Sequence, residues 1–146
     1  MKISMASDHG GLALKTQLKE YLQSLGHEVC DFGTFTSERC DYPDFARPAA
    51  EAVANGLCER GILVCTTGIG VSMVANKVKG VRCALCTNVD MAEMCRRHND
   101  ANILAMGQKY VDFSAAKQMA EVFLSTPFDG GRHINRVDKI MSTETR

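Results

Sequence analysis

The sequence is poor in several residue types, and each shortage argues against a class of protein. It contains no tryptophan and only 6% aromatic residues, so few rings are present to sandwich a flavin. The 17 lysines and arginines equal the 17 aspartates and glutamates in number, so no excess charge attracts nucleic acid or a membrane. No apolar run reaches the length of a membrane span, and the N-terminus lacks the apolar core of a signal peptide. These absences predict a cytoplasmic protein that binds neither nucleic acid nor membrane.

Cysteine is plentiful but irregularly placed. The seven cysteines are an odd number and are scattered singly, which favours reduced thiols over a disulfide framework. One spacing is typical of a metal site, because Cys83 and Cys86 are followed by Cys95 and His98. Residues three apart on a strand point to opposite faces, so Cys83 and Cys86 should diverge, and we expect no metal. Four cysteines are interpreted as small buried hydrophobic residues, namely Cys30, Cys58, Cys83 and Cys86.

Strand and helix patterns alternate along the chain, without repeats, low-complexity linkers or a domain break. The predicted strands are Lys2–Ser7, His27–Phe32, Gly61–Cys65, Val81–Thr87 and Asn102–Met106. The first predicted helix carries Leu14, Leu18, Leu22 and Leu25 on one face and ends at Gly26. The second is Pro43–Asn55, with Asp41 as candidate cap, and the third follows Gly70. The remaining helices are about Asp90–Arg97, about Phe113–Leu124, and an amphipathic stretch after Gly130 and Gly131. This alternation predicts one α/β domain, residues 1–146, built as a three-layer α-β-α sandwich around a doubly wound, five-stranded parallel sheet of the Rossmann-like or flavodoxin-like class.

In such a sheet, ligands bind beyond the carboxyl ends of the strands, where the strand order reverses. Three predicted strand ends carry polar residues that fit this rule. They are the segments Ser7 to Gly11, Thr34 to Tyr42 and Cys65 to Gly70.

The segment GILVCTTGIG combines a thiol with a glycine turn. Gly68 and Gly70 allow main-chain N–H groups to surround an anionic oxygen, and the following helix adds its positive end. The same helix end favours the thiolate of Cys65. A cysteine-phosphatase loop is excluded, because Val71 stands where the Cys-x5-Arg pattern requires arginine. A buried structural cysteine, or a phosphate- or flavin-binding module of flavodoxin type, remains an alternative.

Asp8 and His9 precede two glycines at the first strand end, a setting that suits sugar hydroxyls and an anion. Asp8 would serve equally well as a helix cap. His98 and Asn99 end a predicted helix, where a histidine also complements the negative end of the helix dipole.

Arg132 and Arg136 lie four residues apart, on one side of the last predicted helix. Two guanidinium groups placed in this way form a phosphate clamp or, alternatively, a solvated basic face. Lys109 is a third candidate cation, with an ordinary surface lysine as its alternative.

The stretches SDHGG, SERCDYPDFA, CTTGIGVSMVANK, RRHNDANILAMG and GGRHINRV occur in the order and spacing of one known family. From residue 3 to about 137 the chain resembles type B ribose-5-phosphate isomerases, a family that includes galactose-6-phosphate isomerase subunits and allose-phosphate isomerases. The resemblance implies a five-stranded parallel sheet between helices, no metal and no organic cofactor. It also implies a homodimer or homotetramer whose subunits share sites, with the helical tail from about residue 130 packing on the partner.

The resemblance implies catalytic roles for four side chains. Cys65 would move the proton between neighbouring carbons, and Thr67 would support proton exchange among the hydroxyls. His98 would open the sugar ring with help from Asp8. The enediolate would be held by the main chain of Thr66, Thr67, Gly68, Ile69 and Gly70. The remaining contacts would be phosphate binding by His9, Lys109, Arg132 and Arg136, a sugar hydroxyl on Asn99, and the pocket wall at Tyr42.

The implied reaction is aldose–ketose isomerisation of a sugar phosphate, in the first place ribose 5-phosphate to ribulose 5-phosphate. A six-carbon substrate (allose or galactose 6-phosphate) and a non-catalytic sugar-phosphate-binding subunit are the alternatives. Three positions depart from the family pattern. Thr66 replaces a usual glycine, Lys109 replaces a usual arginine, and Val71 stands where some relatives carry a glutamate base.

Overall fold

A computed structural model describes residues 1–145 and contains one parallel five-stranded sheet. Its strands are β1 (Lys2–Ser7), β2 (Glu28–Asp31), β3 (Arg60–Cys65), β4 (Cys83–Leu85) and β5 (Ile103–Gly107). The strand order across the sheet is β2-β1-β3-β5-β4. All four strand pairs are parallel, as the alternating pattern predicts.

Six α-helices connect and cover the strands. They are α1 (Leu12–Ser24), α2 (Pro43–Ala54), α3 (Ile69–Asn76), α4 (Val89–Asn99), α5 (Phe113–Ser125) and α6 (Arg132–Ser142), with 3-10 turns at His9–Gly11 and Thr143–Thr145. Helices α1, α4 and α5 contribute to the core on one face of the sheet, and α2 and α3 contribute to the core on the other. The predicted three-layer, doubly wound architecture is therefore confirmed. Within residues 1–145, no helix combines the length and apolar character that crossing a membrane requires.

The central strands are apolar throughout because helices cover both of their faces. In β3, Ile62 and Val64 pack into the core beneath α1, α4 and α5. Leu63 and Cys65 alternate with them and pack beneath α2 and α3. Cys65 is therefore the last residue of a buried strand and belongs to the α2–α3 side.

Several predicted boundaries are wrong in informative ways. The strand predicted at Val81–Thr87 is only β4, Cys83–Leu85, because it lies at the sheet edge and pairs with β5 alone. Helix α3 begins at Ile69, before Gly70, since Gly68 forms its N-cap. Asp41 does not cap α2; Tyr42 occupies that position, without a side-chain capping bond.

The cysteines follow their predictions in part. Cys83 and Cys86 pack into different cores on opposite faces of the sheet, as their spacing predicts. Cys58 and Cys86 are buried, whereas Cys30 and Cys83 are only half-buried because they lie on the edge strands β2 and β4.

The strand order reverses between β1 and β3. From β1 the chain continues into α1 on one face, and from β3 it continues into α3 on the opposite face. A crevice at the carboxyl ends of these two strands follows from this divergence. Asp8 and Cys65 stand at its two sides, since the paired register Ser7–Val64 places them at neighbouring strand ends.

Candidate active site

The Cys65 turn is a fixed main-chain structure. The Gly68 N–H donates a hydrogen bond to Cys65 Sγ at 3.0 Å, and the Ile69 N–H donates to Thr67 Oγ1 at 3.3 Å. Gly68 has a φ of 79°, and a Cβ there would lie 2.6 Å from Leu85 Cδ1. Only glycine fits this position, and the turn that it forms points the Gly68 N–H at the Cys65 sulfur. Cys65 itself is 4% exposed and lies beneath the turn.

The end of β5 supports this turn from the side. A Cβ on Gly107 would collide with the carbonyl carbon of Thr67, so the two backbones are in direct contact. The Gln108 N–H donates to the Cys65 carbonyl at 2.9 Å, and the Lys109 N–H donates to the Thr66 carbonyl at 3.0 Å. These bonds place exposed Lys109 beside the turn, at the same edge of the sheet.

The Asp8 turn lies against the other side of the same strand end. A Cβ on Gly11 would lie 2.6 Å from the Val64 carbonyl, and one on Gly10 would collide with Thr66 Oγ1. Asp8 is 7% exposed, and its Oδ1 accepts a hydrogen bond from the Gly11 N–H at 3.1 Å. The capping alternative for Asp8 is therefore observed, and the cap holds this carboxylate beside Cys65.

One ring nitrogen of His9 is already used as a hydrogen-bond acceptor. Its Nδ1 accepts a hydrogen bond from the Cys40 N–H at 3.2 Å. An accepting Nδ1 leaves the proton of the neutral ring on Nε2. His9 can therefore donate from Nε2 to an anionic or hydroxyl oxygen.

A buried ion pair anchors the start of the loop that follows β2. Lys15 is 1% exposed, and its Nζ donates to Asp31 Oδ1 at 2.7 Å and to the Thr34 carbonyl at 2.6 Å. Burial by itself raises the pKa of Asp31, but hydrogen bonds from Lys15 and the Gly33 N–H, with the Lys15 charge, outweigh it and lower that pKa. The loop start is thus anchored before the chain reaches Tyr42.

Tyr42 stands directly over the helix end that follows Cys65. A Cβ on Gly70 would lie 2.5 Å from Tyr42 Cζ, so the ring packs on the glycine backbone. The ring is 38% exposed and forms a wall beside the turn. Gly70 is therefore required for close packing against an aromatic ring, a role that the sequence did not indicate.

The other predicted site residues lie at the amino edge of the sheet, which is the side where the strands begin. Helix α4 runs back from β4 towards the start of β5, so His98 and Asn99 at its end lie near the amino ends of the strands. The Asn99 carbonyl accepts a hydrogen bond from Arg82 Nε at 3.2 Å, and Arg82 directly precedes β4. Five residue steps along β3 correspond to about 17 Å. A single chain therefore does not bring His98 to Cys65.

Helix α6 joins His98 at this amino edge. His133 stacks on His98 with ring centroids 4.3 Å apart and an interplanar angle of 12°. The Asp129 N–H donates to the Arg97 carbonyl at 3.0 Å, which ties the start of α6 to α4. Arg132 and Arg136 are exposed, and both belong to α6 as their spacing predicts.

Three side chains of metal-binding type also meet here. His98, Asp129 and His133 each place one ligand atom within 4.8 Å of the others. The Asp129 carboxylate already accepts a hydrogen bond from Arg97 Nε at 3.2 Å, and α6 begins with Arg132. Because these guanidinium charges oppose a cation, the cluster suits an anion better.

The structure thus sorts the predicted residues into two groups. The carboxyl edge of the sheet carries Asp8, His9, Tyr42, Thr66, Thr67, Gly68, Ile69, Gly70, Cys65 and Lys109, and the amino edge carries His98, Asn99, Arg132 and Arg136. Sequence reasoning missed Lys15, Asp31 and His133. Only His133 carried a signal, since it lies inside the GGRHINRV stretch between the two arginines.

Known proteins are similar to this chain over nearly its whole length. A family model described as Ribose/Galactose Isomerase matches residues 3–140. Ribose-5-phosphate isomerase B of Escherichia coli (strain K12) is 43% identical over 99% of this chain and 97% of its own length.

Solved structures give the same result. A ribose-5-phosphate isomerase B from Clostridium thermocellum superposes with a TM-score of 0.98, at 51% identity, over 99% of this chain and 98% of that chain. Ribose-5-phosphate isomerase B from Mycoplasma genitalium, solved with bound ribulose 5-phosphate, has a TM-score of 0.95 and 41% identity, over 99% of this chain and 97% of that chain.

Proposed function

The chain belongs to the ribose/galactose isomerase family, and we propose that it interconverts ribose 5-phosphate and ribulose 5-phosphate. The predicted family and the predicted class of enzyme, a sugar-phosphate aldose–ketose isomerase, are both confirmed. One observation supports the Cys65 turn as the place where the reaction occurs. The Cys65 sulfur and main-chain N–H groups occupy one turn, at the point where the strand order reverses.

In the proposed reaction, Cys65 is the base. As a thiolate it removes the proton from C2 of the open-chain aldose, and the electron pair forms the C1–C2 double bond of an enediolate. The same sulfur returns a proton to C1, which leaves the carbonyl on C2 and gives the ketose. Main-chain N–H groups from Thr66 to Gly70 stabilise the negative oxygen without having to reorganise. The Thr67 hydroxyl exchanges protons with the substrate oxygens.

The remaining roles concern the ring and the phosphate. His98 donates a proton to the ring oxygen while Asp8 accepts one from the C1 hydroxyl, so that the aldehyde forms. Asn99 binds a sugar hydroxyl, and Tyr42 forms the wall. The phosphate is bound by His9 through Nε2 and by the proposed cations Lys109, Arg132 and Arg136.

These roles require two copies of the chain, because Cys65 and His98 lie at opposite edges of one sheet. In the proposed two-fold dimer, the carboxyl edge of each subunit packs against the amino edge of the other, and the tail from about residue 130 packs on the partner. Exposed apolar side chains near both edges support such a contact. Met73 is 63% exposed beyond the Cys65 turn, and Ile134 is 50% exposed on α6. We therefore propose a homodimer, with pairing of dimers into a tetramer as a second step.

The proposal includes a cytoplasmic location. All seven cysteines are free thiols, which suits a reducing compartment.

The purified chain should be incubated in heavy water with ribose 5-phosphate, allose 6-phosphate or galactose 6-phosphate. Proton NMR should then show conversion of ribose 5-phosphate and deuterium on C1 of the ribulose 5-phosphate. Faster conversion of a six-carbon phosphate would replace the substrate assignment while leaving the reaction class intact. An inactive chain that regains activity only with a partner protein would instead support the non-catalytic subunit.

The shared site is tested by mixing two inactive variants. Cys65→Ala and His98→Ala subunits, unfolded and refolded together in equal amounts, should recover about a quarter of the wild-type activity. Half of the random dimers are then mixed, and each mixed dimer contains one intact site. Each variant refolded alone is the control. Activity no higher than in these controls would show that Cys65 and His98 do not act across subunits.

A further inference from the structure

We propose that His133 is a positioning residue for the ring-opening step, acting through the ring of His98. The inference rests on the proposed function, because it assigns His98 the protonation of the sugar ring oxygen. It adds a residue that received no role in the predicted site.

The geometry favours positioning over direct contact with substrate. His133 is 7% exposed, whereas His98 is half-buried and ends a helix. The two rings are nearly parallel, at 12°, with centroids 4.3 Å apart. A ring held over one face of His98 restricts the rotation of that imidazole, so its edge keeps one orientation.

The second ring of the stack is held in place by its own helix. His133 lies in the first turn of α6, and its N–H donates to the Gly130 carbonyl at 3.0 Å. The segment before α6 is tied to α4 by Arg97, whose Nε bonds Asp129 Oδ1 at 3.2 Å. His98 and His133 therefore belong to two helices that are joined next to the stack.

The charges around the pair assign different roles to the two rings. Burial, together with the positive charges of His98, Arg132 and Arg136, lowers the pKa of His133, and Asp129 opposes this shift only in part. Two imidazolium rings at this distance would repel each other. His133 therefore acts as the neutral ring of the stack, and His98 is the ring that exchanges a proton with the sugar.

Ring opening can be separated experimentally from enediolate chemistry. Ribose 5-phosphate is largely a closed furanose, so its conversion includes a ring-opening step. Ribulose 5-phosphate cannot close a five-membered ring, because its C5 oxygen carries the phosphate. Exchange of its C1 hydrogen for deuterium therefore needs the Cys65 chemistry alone.

The test compares His133→Leu with His133→Phe, two apolar residues of which only phenylalanine offers a flat ring. We expect His133→Leu to lower kcat for ribose 5-phosphate about tenfold while deuterium exchange at C1 of ribulose 5-phosphate stays within about twofold of wild type. His133→Phe should restore most of the lost isomerisation. Val137→Ala, a cavity in the same helix one turn away, should show no such split between the two rates.

An equal fall in both rates for His133→Leu would mean that His133 only stabilises the fold, and unchanged rates would remove the role altogether. A phenylalanine variant as slow as the leucine variant would overturn stacking as the cause. A wild-type protein that neither isomerises nor exchanges would contradict the proposed function instead.

Discussion

The two edges of the sheet are built from different materials. At the carboxyl edge, Cys65 and Asp8 are buried, and Cys65 lies beneath a main-chain turn packed so closely that Gly68 and Gly107 admit no Cβ. At the amino edge, the candidate groups are side chains on the ends of α4 and α6, and Arg132 and Arg136 are exposed. The group at the carboxyl edge is fixed by the backbone of the chain itself, whereas the group at the amino edge consists of side chains carried by two helices.

This difference matches the tasks proposed for the two edges. Charge that develops during a reaction is stabilised best by dipoles that are already in place, which a main-chain turn provides. A phosphate that stays charged throughout needs attraction and reach, which arginine side chains provide. Changes in the Cys65 turn should therefore reduce kcat, and changes at the amino-edge arginines should raise KM.

The largest effect is expected at Cys65. Cys65→Ala should lower kcat by on the order of 10³-fold, because no other group in the turn takes the proton. Steady-state conversion of ribose 5-phosphate measures the loss. Cys58→Ala, another buried cysteine in the same core, should cost stability and leave kcat near wild type. Near-normal turnover of Cys65→Ala would give the base role to another residue.

The second effect concerns the buried pair at the carboxyl edge. Asp31→Asn should lower the free energy of unfolding by about 3 kcal/mol at pH 7, because it leaves the Lys15 charge buried with a neutral partner. Urea denaturation measures this change. Glu51→Gln removes the exposed partner of Arg47 and should cost less than about 1 kcal/mol. Equal costs for the two variants would show that burial does not set the strength of these pairs.

The pH dependence of this pair has a definite sign. The pKa of Asp31 is lowered in the folded chain, so the folded state favours the ionised carboxylate. The stability from Asp31 is present above the unfolded value of about 3.9 and is lost as the pH falls through the folded pKa below it. The difference between wild type and Asp31→Asn should therefore narrow below about pH 4.

The third effect separates the steric crowding of an added Cβ from the backbone strain of a positive φ. Gly68→Ala should lower kcat by about 10²-fold, because the Cβ meets Leu85 and Met106 and displaces the N–H that points at Cys65. Gly26→Ala is the matched control, since Gly26 also has a positive φ but nothing lies within 4 Å of its Cβ position. That control should lose about 1 kcal/mol of stability and keep its kcat. Equal losses of kcat would mean that the turn tolerates the displacement.

The smallest effect is expected at the amino edge. Arg136→Ala should raise KM for ribose 5-phosphate about tenfold with little change in kcat, and added salt should reduce the difference. Lys139→Ala changes an exposed cation in the last turn of the same helix and should leave KM near wild type. A fall in kcat without a rise in KM would place Arg136 in the chemical step.

The fold was largely predictable because its patterns are local. Apolar runs such as those of β1, β3 and β5, separated by helical periodicity, indicate a parallel sheet before any contact is known. The pattern predicts more residues for the edge strand β4 than the structure has, since the end of β4 depends on pairing with β5 alone. The pattern predicts Asp41 as the cap of α2, but Tyr42 is the N-cap and makes no side-chain capping bond.

The sequence by itself determined the succession of strands and helices along the chain, the residue types of the site and, through its motifs, the family. It did so because periodicity, glycine turns and motif spacing are properties of neighbouring residues. Only the tertiary structure decided that Cys65 and His98 stand at opposite edges, that Lys15 is buried against Asp31, and that His133 stacks on His98. Those relations join residues distant in sequence, and only the packing of helices on the sheet determines them.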